Sequence, residues 1–428
     1  MKKLQDCLPQ EIKNIYHFIQ AGVSAVLFGF PSRKLKVIGV TGTDGKTTTV
    51  NLIHHILKSS GIKVSMISTV KAQIGEVTFD TGLHVTTPSP FQLQKFLKMM
   101  LKAESEIAVL EVTSHALDQN RVAFIDFYEG VITNITHEHM DYHKSYESYL
   151  KAKSKILNKV KYRVLNSDDS SFKKLSDVGS GKMVSFGVSK DADVQASDVK
   201  NKRDGVEFVA ILKNGENTES RLKISSSLIG NFNIYNILAA VASIKNLGLD
   251  SKKIESSIST FPGVEGRLER INEGQDFDVV VDFAHTPNAF SNILQTLKGE
   301  TKGNLICIFG SAGDRDKDKR PNMGEIAGKI CNYAVITAED PRGEDVNKIA
   351  EEIASGIKKS GGVQNKTFWI IPERKAAIEW TIKSLAKSGD TVAILGKGHE
   401  KSMNIGGKEY QWSDQMTAKE AIYERLKK

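Results

Sequence analysis

Residues 34–60, KLKVIGVTGTDGKTTTVNLIHHILKSS, constrain the fold more than any other stretch of this chain. Lys34–Val40 predicts a short buried strand, and the glycine-rich turn Gly42–Gly45 follows it. From Thr47 onward, apolar residues recur at helical spacing. Strand, glycine-rich turn, Lys-Thr pair and helix form the P-loop arrangement. In it, backbone N–H groups and Lys46 bind nucleotide phosphates, and the threonine hydroxyl binds Mg²⁺.

One position departs from the strict P-loop pattern. That pattern requires a glycine five residues before Gly45, where this sequence has Val40. The alternative interpretation is a glycine turn followed by a surface lysine. Because strand, turn and helix are all in place, we interpret the loop as a nucleotide site formed by Gly42, Thr43, Asp44, Gly45, Lys46, Thr47 and Thr48.

The composition is that of a globular protein with more than one domain. The chain has 428 residues, 40% hydrophobic and 26% charged, and this length exceeds one ordinary core. The net charge of +8 comes from scattered basic residues interleaved with acids, so we expect anionic substrates and no nucleic-acid partner. Three cysteines without a C-x-x-C pair fit a reducing cytoplasm. The early apolar run Ala21–Phe30 is too short to predict membrane insertion.

Polar residues follow or end several predicted strands of the central region. Ile107–Val112 predicts a buried strand that carries Glu111 near its end, where P-loop enzymes hold a Mg²⁺ ligand; the alternative is a surface glutamate. Residues 113–121 then predict a ligand-facing loop. The turn at 86–88, Thr-Thr-Pro, is typical of a cap before the predicted helix Pro90–Lys102.

A dense histidine cluster follows the predicted strand Gly130–Ile135. Residues 137–143, HEHMDYH, contain the H-x-H-x-D spacing that is also typical of metallohydrolases. A zinc hydrolase is therefore the alternative to the magnesium nucleotide enzyme that the P-loop favours. The next predicted helix, Ser148–Asn158, carries lysines that by composition only form a basic face. Short alternating strands at 180–226 predict a small β excursion, and 230–240 predicts a helix with amide side chains at its start.

The last third of the chain predicts a second α/β domain. Five predicted strands alternate with helical stretches, at 278–283, 304–309, 333–337, 367–371 and 391–395. Ligands bind such sheets at the loops that leave the carboxyl ends of the strands. Those loops read AHTP, GSAGDRDKDKR, AEDPRGED and GKGHE.

The predicted fold class is α/β, with a P-loop central domain on a mostly parallel sheet and a C-terminal Rossmann-like α/β domain. We predict a short helical segment at 1–33, the central P-loop domain at 34–262 and a second ligand-binding α/β domain at 263–428.

Ten motifs spread along the chain resemble the Mur ligase family of ATP-dependent amide-forming enzymes. They are GTDGKTT (42–48), TTP (86–88), EVTSHALDQNRV (111–122), TNITHEHMDYH (133–143), YLKAK (149–153), GNFNIYNILAA (230–240), VDFAHTPNAF (281–290), FGSAGDRDKDKRP (309–321), EDPRGED (339–345) and LGKGHE (395–400). The chain looks most like the MurE branch, which makes peptidoglycan precursors. That branch adds the third amino acid to UDP-N-acetylmuramoyl-L-alanyl-D-glutamate through an acyl phosphate, giving ADP and phosphate. Folylpolyglutamate synthase is the nearest alternative. Residues 1–33 are too few for the family's uridine-holding N-terminal domain.

The resemblance implies ATP and two Mg²⁺ ions as cofactors, and it assigns roles to individual residues. Catalytic roles fall to Lys46, Lys153 and His139. The implied metal ligands are Thr47, Glu111, His139 and Lys153, the last as a carbamylated lysine. Further nucleotide contacts are Asn236, Arg267, Asp282 and His285. Contacts to the muramoyl dipeptide are Thr86, Thr87, Ser114, Gln119 and Arg121, and contacts to the incoming amino acid are Arg315, Asp340, Arg342, Gly396 and Glu400.

The loop at 339–342, Glu-Asp-Pro-Arg, favours meso-diaminopimelate over L-lysine as the incoming amino acid. This loop resembles the loop Asp-Asn-Pro-Arg of family members that use diaminopimelate, in which the arginine meets the distal carboxylate. A guanidinium can bind a carboxylate bidentately. Asp340 in place of asparagine adds a negative charge that repels that carboxylate or is neutralised by Arg342. The alternative is that Arg342 only pairs with Asp340 or Glu344. We expect a cytoplasmic monomer without membrane insertion.

Overall fold

The computed structural model describes residues 9–81, 86–136, 138, 140–215 and 218–427. The chain divides into two compact units, Met1–Pro262 and Gly263–Lys428. Within the described ranges, no helix is long and apolar enough to cross a membrane.

The first unit alternates helices and strands. In chain order its elements are α1 (Gln10–Phe28), a 3₁₀ turn (Pro31–Lys34), β1 (Lys36–Thr41), α2 (Lys46–Ser59), β2 (Val64–Ile67), β3 (Ala72–Ile74), β4 (Val77–Phe79), α3 (Pro90–Lys102), β5 (Ile107–Glu111), α4 (Ser114–Asp118), β6 (Phe127–Ile132), α5 (Met140–His143), α6 (Tyr146–Ser154), a 3₁₀ turn (Lys155–Leu157), β7 (Tyr162–Asn166), α7 (Phe172–Ser176), β8 (Lys182–Gly187), β9 (Val194–Lys202), β10 (Gly205–Gly215), β11 (Thr218–Ser226), α8 (Asn231–Ile244), a 3₁₀ turn (Lys245–Leu247) and α9 (Ser251–Ser259).

The strands of the first unit form one sheet. Over the described residues it has eleven strands in the order β11-β10-β9-β8-β7-β6-β1-β5-β2-β3-β4. The centre from β2 to β9 is parallel, and both edges are antiparallel. All five residues of β5 are buried, as expected for a parallel strand covered on both faces. The predicted β excursion at 180–226 therefore continues the main sheet instead of standing apart from it.

Strand β6 ends earlier than the sequence predicts. It spans Phe127–Ile132, whereas the apolar pattern predicted Gly130–Ile135. After Ile132 the chain leaves the ladder and hydrogen-bonds the loop that follows β1, with Asn134 O accepting from Thr43 N at 2.9 Å. The apolar pattern continues past the strand end because Ile135 is still buried in the core.

Helix α1 presents an apolar face to solvent. Its exposed large side chains are Ile12, Ile15, Tyr16, Phe18, Ile19, Val23, Val26 and Leu27. Its buried residues are small, Ala21, Ser24 and Ala25. The helix therefore contributes little apolar area to the core of the first unit.

The second unit contains a smaller sheet and a hairpin. Its elements are β12 (Glu269–Ile271), β13 (Asp278–Asp282), α10 (Pro287–Glu300), β14 (Leu305–Phe309), α11 (Lys319–Ile330), β15 (Tyr333–Ile336), α12 (Val346–Lys359), β16 (Phe368–Ile370), α13 (Arg374–Trp380), a π-helical turn (Thr381–Leu385), β17 (Thr391–Leu395), β18 (Ser402–Ile405), β19 (Lys408–Gln411) and α14 (Asp414–Leu426). Among the described residues, six strands follow the order β12-β13-β17-β14-β15-β16. All pairs are parallel except β12 with β13. The predicted α/β class is confirmed.

Candidate functional site

The phosphate loop lies where the carboxyl ends of three central strands meet. Strand β1 runs between β5 and β6, and the loop Gly42–Gly45 leads from it into α2. Gly45 has φ +83°, and no side chain caps the first turn of α2. A Cβ atom on Gly45 would lie 2.1 Å from Oδ1 of Asn236, and one on Gly42 would lie 1.8 Å from Oγ1 of Thr133. Glycine is therefore required at both positions, and the uncapped N–H groups suit an anion.

Two residues after β6 hold the loop in shape. Asn134 Oδ1 accepts from Asp44 N at 2.9 Å, and Thr133 Oγ1 donates to Asp44 O at 2.7 Å. Thr43 Oγ1 lies 3.2 Å from the hydroxyl of Tyr149. Sequence reasoning did not single out Thr133 or Asn134. Their place at the start of the motif TNITHEHMDYH was the available signal.

Lys46 and Lys153 converge on a single backbone carbonyl. Lys46 Nζ donates to Gly42 O at 3.0 Å and to Thr43 O at 2.7 Å, and Lys153 Nζ donates to Gly42 O at 2.6 Å. Lys153 is only 1% exposed and lies 4.6 Å from the ring centre of Tyr149. Burial first, and then the charge of Lys46, hold the pKa of Lys153 well below its usual range. The expectation of a merely basic helix face is therefore wrong for Lys153.

Thr47 and Glu111 form the oxygen-rich corner of the loop. Thr47 Oγ1 donates to Glu111 Oε1 at 3.0 Å, and Thr69 N donates to Glu111 Oε2 at 2.8 Å. Glu111 is 2% exposed at the end of β5, so the alternative of a surface glutamate is wrong. A hydroxyl and a carboxylate are donors that Mg²⁺ prefers. His139 lies outside the described residues, and its metal role stays a prediction.

The predicted dipeptide contacts surround Thr87. Thr87 Oγ1 donates to Glu111 O at 3.2 Å and accepts from Thr113 N at 3.0 Å, and Thr87 O accepts from Arg121 Nη1 at 2.7 Å. Arg121 Nε is buried without an acceptor, and Arg121 forms no ion pair within the described parts of the chain. Burial lowers the pKa of Arg121. A buried guanidinium without a carboxylate partner suits an anionic ligand.

The remaining residues predicted to contact the dipeptide lie near this network. Ser114 Oγ is 3.1 Å from Nε2 of His143. Gln119 ends α4, where its N–H donates to His115 O at 2.8 Å. Thr86 precedes Thr87 and is half-buried.

Asn236 lies against the phosphate loop from helix α8. Its Nδ2 donates to Asn233 Oδ1 at 2.9 Å, and its Oδ1 is the atom that a side chain on Gly45 would strike. Asn233 Nδ2 donates in turn to Ile229 O at 2.8 Å. The structure thus brings Asn236 and the loop together.

In the second unit, the predicted nucleotide contacts gather at the end of β13. Asp282 is buried and accepts from Leu268 N at 2.7 Å and Ala284 N at 2.6 Å. Arg267 lies 4.6 Å over the ring of Phe283. His285 Nδ1 lies 2.8 Å from Phe283 O. Their nucleotide role remains a prediction.

The predicted amino-acid site contains a buried lysine that sequence reasoning missed. Lys397 has a fully buried side chain, and its Nζ donates to Asp340 Oδ1 at 2.7 Å and to Glu400 Oε2 at 2.6 Å. Asn404 N also donates to Asp340 Oδ1, at 3.0 Å. The position of Lys397 between two glycines of the GKGHE loop was the available signal.

Arg342 is available to a ligand at this site. It is half-buried with φ +51°, and its guanidinium has no ion pair or hydrogen bond with the described parts of the chain. The expectation that Arg342 neutralises Asp340 or pairs with Glu344 is wrong. Lys397 pairs with Asp340, and Arg320 pairs with Glu344 at 3.0 Å.

Two further predicted contacts flank this site. Gly396 has φ +109°, and a Cβ atom there would lie 2.7 Å from Glu339 Oε2. Glu339 is buried, and burial raises its pKa against the opposing effect of nearby Lys319 and Lys397. Arg315 lies exposed in the loop that follows β14.

Comparison with known proteins bears on both units. The family model of the Mur ligase middle domain matches residues 40–244, and that of the Mur ligase, glutamate ligase domain matches residues 266–398. The chain is 39% identical over 410 residues to the UDP-N-acetylmuramoyl-L-alanyl-D-glutamate–2,6-diaminopimelate ligase of Syntrophomonas wolfei, covering 95% of this chain and 82% of that protein. It is 37% identical over 421 residues to the UDP-N-acetylmuramyl-tripeptide synthetase of a Roseiflexus species, covering 94% and 82%.

Solved structures agree with this match. A UDP-N-acetylmuramoyl-L-alanyl-D-glutamate–2,6-diaminopimelate ligase superposes with a TM-score of 0.62 at 30% identity, covering 92% of this chain and 79% of that one. Folylpolyglutamate synthase of Mycobacterium tuberculosis, solved with ADP and AMPPCP, gives 0.70 at 17% identity, covering 90% and 97%. At that identity the second likeness concerns the fold alone.

Proposed function

The chain belongs to the Mur ligase family, and we propose that it is the ATP-dependent ligase that adds meso-diaminopimelate to UDP-N-acetylmuramoyl-L-alanyl-D-glutamate. The names of its relatives support the reaction. The observation that carries the choice of amino acid is the guanidinium of Arg342, which has no partner among the described residues. It lies on the same loop as Asp340, which Lys397 links to Glu400. The distal end of diaminopimelate carries one ammonium and one carboxylate, which match these opposite charges.

The phosphate loop fits a magnesium nucleotide. When bound, ATP supplies the phosphoryl group that activates the substrate carboxylate as an acyl phosphate. The residues that would hold its phosphates are Lys46 and the first N–H groups of α2, and those that would hold Mg²⁺ are Thr47 and Glu111. Fixed donors of this kind stabilise charge without reorganising during the reaction.

Lys153 fits the predicted carbamate. The neutral form of the amine attacks the carbon of CO₂. A nitrogen–carbon bond forms as one carbon–oxygen π bond breaks to give the carboxylate, and one amine proton passes to water. The lowered pKa of Lys153 favours this neutral, nucleophilic form. Conversion to an anion also places opposite charges on the two side chains that now share Gly42 O. The new oxygens supply the metal ligands expected there.

The dipeptide end of the substrate is assigned to the Thr87 network. Arg121 would bind a carboxylate with its unpaired Nε, and its bond to Thr87 O fixes the direction of the guanidinium. We also propose that the reaction takes place in the cytoplasm, in keeping with the cysteine content, and that the protein is a monomer.

The test is release of ADP and phosphate with a panel of acceptors and amino acids. We expect turnover with UDP-N-acetylmuramoyl-L-alanyl-D-glutamate and meso-diaminopimelate, and much weaker turnover with L-lysine. Preference for L-lysine would leave the ligase class intact and overturn the choice of amino acid. Turnover with a folate and glutamate, and none with muramoyl peptides, would overturn the function.

A further inference from the structure

Lys397 joins two residues of the proposed amino-acid site. Its ammonium donates to Asp340 Oδ1 at 2.7 Å and to Glu400 Oε2 at 2.6 Å, and its side chain is completely buried. Asp340 comes from the loop after β15 and Glu400 from the loop after β17. One cation therefore links two loops that are separate in sequence.

Asn404 connects the same pair to Arg342. Its N–H donates to Asp340 Oδ1 at 3.0 Å, and its carbonyl accepts from Arg342 N at 3.0 Å. The backbone of Arg342 is thus held beside the lysine-centred pair. The formal charges of the Asp340, Lys397 and Glu400 side chains sum to one negative charge, and Arg342 has one formal positive charge.

We propose that Lys397 is a positioning residue that sets the amino-acid selectivity of this site, by fixing Asp340 and Glu400 and by limiting their joint charge. This inference rests on the proposed function. With one negative charge, the site accepts the ammonium of a diamino acid without repelling a carboxylate that binds Arg342. With two negative charges, the site would still attract the side-chain ammonium of lysine, but it would repel the distal carboxylate of diaminopimelate.

Two single variants change the net formal charge of Asp340, Lys397 and Glu400 in opposite directions. Lys397→Met makes that net charge two negative, and Asp340→Asn makes it zero. The double variant restores the wild-type net charge of one negative. The quantity measured is the ratio of kcat/KM for meso-diaminopimelate to that for L-lysine. Lys401→Met is the matched control, since this lysine lies four residues on and its side chain is 74% exposed.

We expect the ratio to fall about tenfold in Lys397→Met, because of like-charge repulsion on the carboxylate. The ratio should rise a few-fold in Asp340→Asn. Loss of this negative charge weakens the contact with the side-chain ammonium, which is the only distal contact that L-lysine makes. The double variant should return to within about threefold of wild type, since coupled charges are not additive. The changes should appear in KM for the amino acid, with KM for ATP unaltered, and Lys401→Met should keep the wild-type ratio.

A purely structural lysine would give another result. Lys397→Met would then reduce turnover of both amino acids equally and leave their ratio unchanged, which overturns the inference. If Lys397→Met does not fold, Asp340→Asn and the double variant decide, and an unchanged ratio in the first or an unrestored ratio in the second overturns it. A wild type inactive with both amino acids would instead reject the proposed function and this inference with it.

Discussion

The two lysines that are buried in the described part of the chain differ in their partners. Lys153 in the first unit is 1% exposed and donates to a backbone carbonyl that Lys46 also uses. Lys397 in the second unit is fully buried and donates to two carboxylates. Burial is equal, so the partner decides the chemistry. Burial and the charge of Lys46 lower the pKa of the first amine, whereas the second amine is ion-paired with Asp340 and Glu400.

This difference distinguishes a lysine that can react from a lysine that holds neighbouring side chains in place. A neutral buried amine beside a phosphate loop is prepared for modification and for an anionic ligand. A buried ammonium between carboxylates is already satisfied, and its effect on a ligand passes through the groups that it holds. The predictions below test this division, beginning with the largest expected effect.

Replacing the reactive lysine should abolish ligation. Lys153→Ala is expected to lower kcat by a thousandfold or more, about 4 kcal/mol of transition-state stabilisation, with ATP binding largely intact. ADP release measures this, and bicarbonate with short carboxylic acids should restore part of it. The control is Lys151→Ala, an exposed lysine on the same helix. Wild-type turnover by Lys153→Ala without additives would reject the carbamate.

The same substitution in both sites should give unequal losses of stability. Lys397→Met strands two carboxylates and should cost about 3–5 kcal/mol of unfolding free energy. Lys153→Met should cost about 1 kcal/mol or less, because Gly42 O still accepts from Lys46. Urea denaturation of the two variants side by side provides the measurement. Equal losses would mean that partner chemistry does not distinguish the sites.

Removing the unpaired cation should affect one substrate selectively. Arg342→Ala is expected to reduce kcat/KM for meso-diaminopimelate about a hundredfold, or about 2.7 kcal/mol, because it leaves the distal carboxylate without a partner. The value for L-lysine should change less than about threefold on the same argument. Arg221→Ala, at an exposed arginine of the first unit, is the control. A parallel decrease for both amino acids would contradict the contact.

The comparison of the two lysines can be extended to two glutamates, one buried without a cationic partner and one paired with an arginine. Glu129 in β6 accepts from the hydroxyl of Ser243, and burial raises its pKa to about 8 from 4.5. Glu344, paired with Arg320, has its pKa lowered to about 2. Burial without a cationic partner raises the pKa of Glu129, whereas the hydrogen bond from Arg320 lowers the pKa of Glu344.

The raised pKa of Glu129 determines whether the stability of the protein rises or falls with pH. The folded protein holds this proton until about pH 8, whereas the unfolded chain loses it near 4.5, so stability falls as pH rises between these values. Its contribution is about 1 kcal/mol per pH unit. Glu129→Gln, which keeps an oxygen for Ser243, should flatten that slope in thermal denaturation between pH 5 and 8. A slope identical to wild type would show that Glu129 is ionised in the folded state.

Local patterns predicted much of this molecule well. The helix Pro90–Lys102 and the strand Thr391–Leu395 have the predicted bounds, and α2 begins within one residue of its predicted start. The family inferred from the motifs is confirmed. Hydrophobic periodicity and turn-forming residues span only a few positions, so they can be recognised in the sequence without knowledge of the fold.

Contacts between distant residues were not predictable in this way. The joining of β8–β11 to the main sheet depends on which strand edges meet, and no local pattern records that. The support of the phosphate loop by Thr133 and Asn134 likewise arises only when β6 lies beside β1.

The α/β class, the phosphate loop and the polar loops of the second sheet could be read from the amino-acid sequence, because these features depend on neighbours along the chain. The partners of the buried charges became known only from the folded structure. Lys153 meets a carbonyl 111 positions away, and Lys397 meets Asp340 57 positions away. The state of a buried group depends on the atoms around it in space, so two lysines that look alike in sequence acquire different chemistry.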